Sequence, residues 1–574
     1  MLSSNKASFA ANLASNDELK AAATAEGNSE NDTKSSEIGV SGSYLSSQFS
    51  RASGDIESAI KSLESVYARN KESTDVANQL MGLYLLGGHV EKAMEIASAV
   101  YKNKNRDPIS SLMLSLRAIK NNDSTAASNI LDKLSDEEGG QLWLPLISAW
   151  LDVEQHKLVK PLMMEELSAE VGRAAPIVNY HLALINAQAG FTKAAAENFK
   201  HAIEDPTRPP QRVMEMLIKF YEKNNSLETL KPLVKTYRNA NPNMSKSNVA
   251  LIDNMRDGAA EILLTMGSIM LAADVVQDAT LYLQLALYMK PDMELATVAL
   301  AQAYTELQQF GIANEILAKI PESSMLYNSA QLYSAINLGH LNKSDEAIVK
   351  LDGIIKESPD NLEAYMAKGD LLRMQNRFVE AVAVYETALG TIKEKGAQHW
   401  PIYFAIGTSL DKEGNWPGAE KNLRRSLELS PNQPDVLNYL GYSFLMRGES
   451  FAEAKSMIEK AIKKRPTDPQ IMDSMGWALY LEGDYKEASI YLERAVSFLP
   501  ADVTVHEHLG DVYWRLGRKT EARFEWDRSL TYAKDNAVTE EIEKKLKNGL
   551  PDKNSSDSSD KKNKNLSSNI AVTQ

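Results

Sequence analysis

A small residue recurs along this chain on a 34-residue clock, and that period decides what the chain can fold into. Ala59, Ala93, Ala127, Ala195, Ala279, Ala313, Ala347, Ala381, Ala419, Ala454, Ala488 and Ala522 stand 34 residues or a near multiple apart, with slips of one residue and a few longer intervals. A repeat of this length is long enough for one pair of helices and too short to bury a core alone, so neighbouring copies must stack on each other. A Leu-Gly-like pair precedes several of these alanines by 12 or 13 residues: Met266-Gly267, Ile406-Gly407, Leu440-Gly441, Met475-Gly476 and Leu509-Gly510. Glycine in mid-helix costs about 1 kcal/mol against alanine, so its return at one phase implies a close approach of two helices there. The phased alanine is expected to be the other half of that approach. Four residues after it comes a bulky apolar side chain, as at Leu63, Leu131, Phe199, Leu283, Leu317, Leu351, Tyr385, Leu423, Ile458, Leu492 and Trp526, expected to point at the neighbouring repeat. Proline twelve residues after the phased position (Pro242, Pro291, Pro359, Pro431, Pro466, Pro500) ends the second helix.

In order, Leu-Gly, aromatic, Ala, bulky apolar, Ala and Pro resemble the tetratricopeptide repeat family. The fullest copies are "DVLNYLGYSFLMRGESFAEAKSMIEKAIKKRP" and "QIMDSMGWALYLEGDYKEASIYLERAVSFLP". The last repeats, with phrases such as "LNYLGYS" and "HLGDVYW", also look like those of uncharacterised tetratricopeptide proteins of alphaproteobacteria. The clock and the resemblance together imply an all-α fold, a right-handed superhelical solenoid of about fourteen two-helix repeats between residues 41 and 535. Two copies depart from the pattern: Pro161 and Leu230 stand where the small residue is due. Proline there should interrupt the second helix and leave the stack irregular over 140–175.

Residues 1–40 and 551–574 are rich in Ser, Asn, Asp and Lys and read as disordered polar tails. An N-terminal array over 41–240 and a C-terminal array over 258–535 are expected on either side of a loop or hinge at 241–257, where the clock gains about fifteen residues. Residues 536–550 read as a capping helix, with acids first, lysines last and Gly549 as its stop.

Composition narrows the function by exclusion. The net charge of −14 opposes nucleic-acid binding, which needs a basic stripe to neutralise phosphates. Zero cysteines rule out disulfides and Cys metal sites. No run of 18 apolar residues marks a transmembrane helix, and the start has no apolar stretch long enough for an export signal. The expected compartment is therefore the cytoplasm, or the periplasm if the chain start is truncated or misassigned. His506-Glu507-His508 is the only histidine cluster, but histidines two apart point to different sides of a helix, whereas a zinc pair wants a spacing of four. "RLGRKTEA" lacks the first glycine and the strand of a phosphate-binding loop and reads as the turn inside a repeat. With no segment large enough for a catalytic domain, the chain reads as no enzyme, with no cofactor and no metal.

What remains is a binding surface. In the family the first helix of each repeat lines a concave groove, and helical spacing puts positions 6 and 3 before, and 1 and 4 after, the glycine on that face. The rule selects Asp435, Asn438, Tyr442 and Leu445, then Gln470, Asp473, Trp477 and Tyr480, then Thr504, Glu507, Asp511 and Trp514. Aromatics supply buried area at low entropic cost and acids select basic groups, so the expected partner is a protein or extended peptide with basic and apolar anchors. The competing reading of the same residues is that Trp477 and Tyr480 pack between helices while the acids keep the surface solvated. The family's clamp of Lys, Asn and Arg for a terminal carboxylate does not fit a face that carries acids. The leading function is a non-catalytic interaction scaffold; the alternative is an envelope-associated, periplasmic assembly or secretion accessory. Oligomeric state is not written in the sequence.

Overall fold

The computed structural model describes residues 39–102, 108–134, 143–162, 175–203, 210–224, 230–240 and 250–551. Among them are 28 α-helices and no strand. Thirteen consecutive helix pairs run from Val40–Ala52 with Ile56–Arg69 to Val503–Arg515 with Lys519–Tyr532. A single helix, Trp143–Glu154, stands between the third and fourth pairs, and the helix Asn536–Asn548 follows the last pair. The fold is an all-helical solenoid of two-helix repeats. The tails expected at 1–40 and 551–574 lie outside the described residues except for 39, 40 and 551. Of the segment expected at 241–257, residues 241–249 lie outside them too, 250–254 are not helical, and a helix begins at Met255.

The chain divides into two compact units, Met1–Pro209 with Ile252–Ile262, and Pro210–Leu251 with Leu263–Gln574. In the first unit, residues 155–162 form no helix, the interruption expected from Pro161. Residues 163–174 lie outside the described set. The side-chain amide of Asn186 brackets the backbone of Leu162, accepting from its N–H at 2.9 Å and donating to its carbonyl at 2.9 Å. Asn186 also donates to Asn198, which donates to Asn179, so the missing helical bonds are replaced by a buried amide chain. Glu261, 1% exposed, accepts from the Tyr180 hydroxyl at 2.6 Å in the same unit.

In the second unit the glycine phase performs its expected task, with a different partner. A Cβ on Gly267, Gly407 or Gly476 would come within 2.6–2.7 Å of the side chain of Leu283, Leu423 or Leu492. On Gly510 it would meet Trp526 at 2.4 Å. The bulky residue four after the alanine therefore fills the space over the glycine of its own repeat, where the sequence suggested the neighbouring one. The phased alanines, wholly buried, contribute their carbonyl oxygens at 3.1–3.2 Å from that space for Ala279, Ala419 and Ala522. The helix spacing is thus set by a side chain lying in a glycine notch, with the alanine letting the backbones close around it.

A second clock sets the turns described inside the repeats. Positive φ occurs at Gly54, Gly88, Asn122, His156, Gly190, Asp274, Gln308, Asn342, Asn376, Gly414, Gly448, Gly483 and Gly517, mostly 34 residues apart. In the last repeats the residue after it bonds back five positions: Glu449 N–H to Phe444 O at 2.9 Å, Asp484 to Leu479 at 3.0 Å, Arg518 to Tyr513 at 2.9 Å. This left-handed termination satisfies the last carbonyls of the first helix. Asp484 then caps the next helix, accepting from Glu487 N–H at 3.2 Å.

Candidate partner-binding site

The first helices of the last three repeats are Pro434–Arg447, Pro469–Glu482 and Val503–Arg515, each opened by proline or a capping aspartate. Their apolar sides (Leu437, Leu440, Phe444, Ile471, Met475, Leu479, Leu509, Val512) lie in one core, which fixes where the remaining positions point.

Asp435 lies at the start of its helix and takes both guanidinium nitrogens of Arg465, at 2.7 and 3.0 Å. Asn438 is partly buried, and its Oδ1 is buried without a hydrogen-bond partner among the described residues. Tyr442, one turn on, is partly buried, and burial followed by the charges of Asp473 and Glu507 pushes its hydroxyl pKa far above the ordinary value. Leu445 is buried in the core.

Asp473 accepts from His508 Nδ1 at 2.8 Å, both side chains buried. Burial opposes charge on this imidazole, but Asp473, by charge and by hydrogen bond, outweighs it and holds the pKa above the ordinary value. Trp477 is sandwiched between His508 (centroids 4.1 Å apart) and Tyr480 (4.7 Å), and the Tyr480 hydroxyl meets Arg515 Nε at 3.4 Å.

At the last repeat the inner face is taken by the chain itself. Lys545, on the helix Asn536–Asn548, donates to Glu507 at 2.6 Å and to Asp511 at 2.9 and 3.0 Å, and Asp511 also accepts from Trp526 Nε1 at 2.9 Å. Burial disfavours the Lys545 charge, but the two carboxylates overcome it and raise its pKa well above the ordinary value. Trp514 packs against Trp526 at 5.4 Å, with Lys519 and Arg523 over its ring at 4.9 and 5.2 Å. Gly549 crosses so close to Trp514 that a Cβ there would lie 1.9 Å from the ring. Arg515 donates to Pro551 O at 2.7 Å.

The structure thus brings Asp473, Trp477 and Tyr480 into one stacked cluster with His508, and Glu507, Asp511 and Trp514 into a second under the C-terminal helix. Asp435, Asn438 and Tyr442 lie on the preceding repeat. The sequence reading missed His508, Arg515 and Lys545 as their partners. Lys545 carried no periodic signal, because its helix follows the last repeat. It also missed the adjacent cluster one repeat earlier, where Asp411 accepts from Tyr439 at 2.9 Å and from Arg447 at 2.5 Å, and Arg447 lies 4.2 Å over Trp416. The same spacing rule, applied to Gly407, selects Asp411. His506, Glu507 and His508 turn to three separate partners, Glu525, Lys545 and Asp473. Among the described residues no group of three or more His, Cys, Asp or Glu is arranged to hold a metal ion, and no helix is long and apolar enough to cross a membrane.

Repeated helix pairs around glycine notches, with polar and aromatic side chains left on the first helices, define a helical-repeat scaffold of the class that engages other proteins. Residues 335–397, 404–469 and 475–537 match the family model described as tetratricopeptide repeat, and the chain is a tetratricopeptide-repeat protein. Over 198 residues it is 29% identical to the TPR repeat-containing protein PA4667 of Pseudomonas aeruginosa, a match covering 33% of this chain and 30% of that one. It is 26% identical over 155 residues to the human tetratricopeptide repeat protein 13, covering 27% and 17%. The matches thus span less than a third of either relative. Among solved structures, the APC/C hetero-tetramer Cut9–Hcn1 aligns with 89% of this chain and 96% of that one at 15% identity and a TM-score of 0.39. Yeast Tom70 aligns with 88% and 95% at 14% identity and a TM-score of 0.31.

Proposed function

We propose that this protein is a non-catalytic scaffold that holds a partner protein, or an extended segment of one, against the first helices of its C-terminal repeats. Tetratricopeptide-repeat scaffolds generally mediate protein–protein interactions. The observation that carries the reading here is Asn438: a buried amide oxygen without a partner among the described residues, on the face where the spacing rule puts ligand contacts. A buried acceptor left unpaired costs about 1–3 kcal/mol, and turning the partly exposed Asn438 side chain outward onto a peptide N–H laid across the helix would remove that cost. Tyr442 beside it offers an aromatic wall. Asp435 adds a carboxylate whose cation, Arg465, is itself exposed and exchangeable.

The site of this reading centres on Asp435, Asn438 and Tyr442. The acids and aromatics of the last two repeats are already engaged within the chain, so a partner must compete with His508, Arg515 and Lys545 to use them. The test is affinity purification with mass spectrometry, comparing wild type with an Asn438→Ala, Tyr442→Ser variant of matching circular dichroism. One protein lost selectively from the variant supports the site; identical recovered sets refute it.

A further inference from the structure

The outer face of the last two repeats carries a feature unrelated to the groove. On the helix Tyr485–Phe498, the exposed side chains Ile490, Arg494 and Phe498 follow one another at intervals of four. On the helix Lys519–Tyr532, Phe524, Arg528 and Tyr532 do the same, each 34 residues after its counterpart. Both triplets therefore occupy the same phase of their repeats and the same face of equivalent helices. The apolar members are open to solvent: Ile490 by 47%, Phe498 by 56%, Phe524 by 60% and Tyr532 by 41%. Single exposed apolar residues are ordinary, but four at the same phase of neighbouring repeats mark one face of two equivalent helices. The solenoid does not need it, since the buried sides of these helices carry Ala488, Leu492, Ala495, Ala522 and Trp526.

The charges sort in the same way. Glu493 receives the Tyr513 hydroxyl at 2.9 Å and Arg518 at 3.3 Å, Glu521 receives Arg518 at 2.6 Å, and Glu525 receives His506 at 2.6 Å. Arg494 and Arg528 form no ion pair among the described residues, and neither do Lys460 and Lys464, which stand one repeat back at the phases of Arg494 and Phe498; Arg528 lies 5.3 Å from the ring of Phe524. Exposed Glu487 lies three residues before Ile490 and exposed Asp527 one residue before Arg528. In a chain of net charge −14, two unpaired arginines, each set between exposed apolar side chains, are a local inversion.

We propose that this outer face docks an acidic amphipathic helix of a partner protein. Its apolar side chains would pack among Ile490, Phe498, Phe524 and Tyr532, and its Asp or Glu side chains would meet Arg494 and Arg528, with Lys460 and Lys464 extending the contact. The arrangement selects a protein over a lipid surface. Each arginine lies in the middle of its stripe with an apolar side chain on either side, whereas a membrane-inserting patch keeps its cations at the rim, where they reach the headgroups. Aromatic residues around a central arginine are the composition of the energetic centre of a protein interface. This surface is separate from the inner face and stands whether or not that reading does.

The test pans a displayed library of 18-residue helices against the full chain. Leu, Ile and Phe are fixed along one side of each helix, and Glu, Gln and Lys are randomised at the flanks. The expected result is enrichment of Glu at the flanks, with at least tenfold weaker binding of the selected helix to F498S/F524S and to R494Q/R528Q. R494E/R528E should reverse the selection toward Lys. The inner-face variant Asn438→Ala, Tyr442→Ser should bind the selected helix unchanged. Enrichment with no charge preference, or binding indifferent to the outer-face substitutions, overturns the proposal. So does co-sedimentation of wild type but not F498S/F524S with phosphatidylglycerol vesicles while no helix is selected, which would assign the patch to a lipid surface. Self-association of wild type abolished by the same variant, again with no helix selected, would assign it to a second copy.

Discussion

One substitution, glycine to alanine inside a helix, should change sign with position in this chain. Replacing mid-helix glycine by alanine gains about 1 kcal/mol from backbone entropy and reduced solvent exposure of the backbone. At Gly353, in the helix Ser344–Glu357, a Cβ would have nothing within 4 Å, so Gly353→Ala should stabilise by up to about 1 kcal/mol. At Gly476 the same Cβ would lie 2.6 Å from Cγ of wholly buried Leu492. Overpacking of this kind costs about 1–3 kcal/mol, so the balance is about 1 kcal/mol destabilising. At Gly510 the obstacle is Trp526, 2.4 Å away at Cδ1 and 2.5 Å at Nε1, also wholly buried and tied through Nε1 to Asp511. Its ring moves only by weakening a bond to a buried carboxylate, which adds about 1 kcal/mol and brings the net loss to about 2 kcal/mol. Urea titrations followed by circular dichroism and tryptophan fluorescence should rank the midpoints Gly353→Ala, wild type, Gly476→Ala, Gly510→Ala from most to least stable. Repeat arrays can unfold in parts, so the fluorescence midpoint, dominated by the Trp-rich last repeats, is the value to compare for Gly476→Ala and Gly510→Ala, and the circular-dichroism midpoint for Gly353→Ala. A Gly510→Ala protein as stable as wild type would refute the notch as the device that spaces the helices.

Lys545→Met should leave Glu507 and Asp511 facing each other without their cation. Breaking a buried ion pair from one side costs about 3 kcal/mol or more, enough to detach the helix Asn536–Asn548 locally. Limited proteolysis should then cut between 533 and 551 at least tenfold faster than in wild type (roughly the rate change that 1.4 kcal/mol gives); unchanged cleavage would show that the helix is held by its apolar contacts. His508 and His506 both have folded pKa values above the ordinary 6.5, each opposed by burial and raised by its carboxylate. Their contribution to stability is therefore complete below the unfolded pKa and is lost as pH rises through the folded one. Denaturant midpoints should fall between pH 6 and pH 8, and His508→Gln should flatten that fall; a midpoint that climbs over the same range contradicts the assignment.

The parts of the fold legible in the sequence are those in which local and tertiary requirements coincide. Ala419, Gly407 and Leu423 each satisfy helix formation and inter-helix packing at once, so their spacing survives as a pattern. The left-handed turn was equally periodic but escaped notice because five residue types occupy it: Gly, Asn, His, Asp and Gln all reach positive φ there. Only the backbone requirement is shared, and a search for one recurring letter misses it. The direction of Leu423 was misjudged for a related reason. Spacing of four gives the face of its own helix, but which neighbour fills that face depends on the crossing of two helices, and that is a tertiary quantity. At the inner face, helical spacing gave a set of positions without giving their partners. Asp473 meets His508 35 residues on, and Glu507 meets Lys545 38 residues on, separations at which a single sequence carries no register.

Stacking also explains why the two surfaces must be considered apart. Each repeat commits its glycine notch, its phased alanine and the side chain between them to packing, and these positions cannot vary without cost. The first helix's open side and the second helix's outer side are free of that constraint, so they record whatever else acts on the chain. In the last repeat the open side closes internally, through Lys545 and Gly549 on Asp511 and Trp514, which completes an otherwise exposed end of the stack. Arg494, Phe498, Phe524 and Arg528 complete nothing among the described residues. Their exposure burdens solubility, and no packing gain offsets it, so a selected contact outside the molecule is the physical reason for them to recur in register. For the same reason the inner face should be probed first at Asn438 and Tyr442, where a polar group is left unsatisfied, and the outer face at Phe524 and Arg494, where an apolar surface and a charge are.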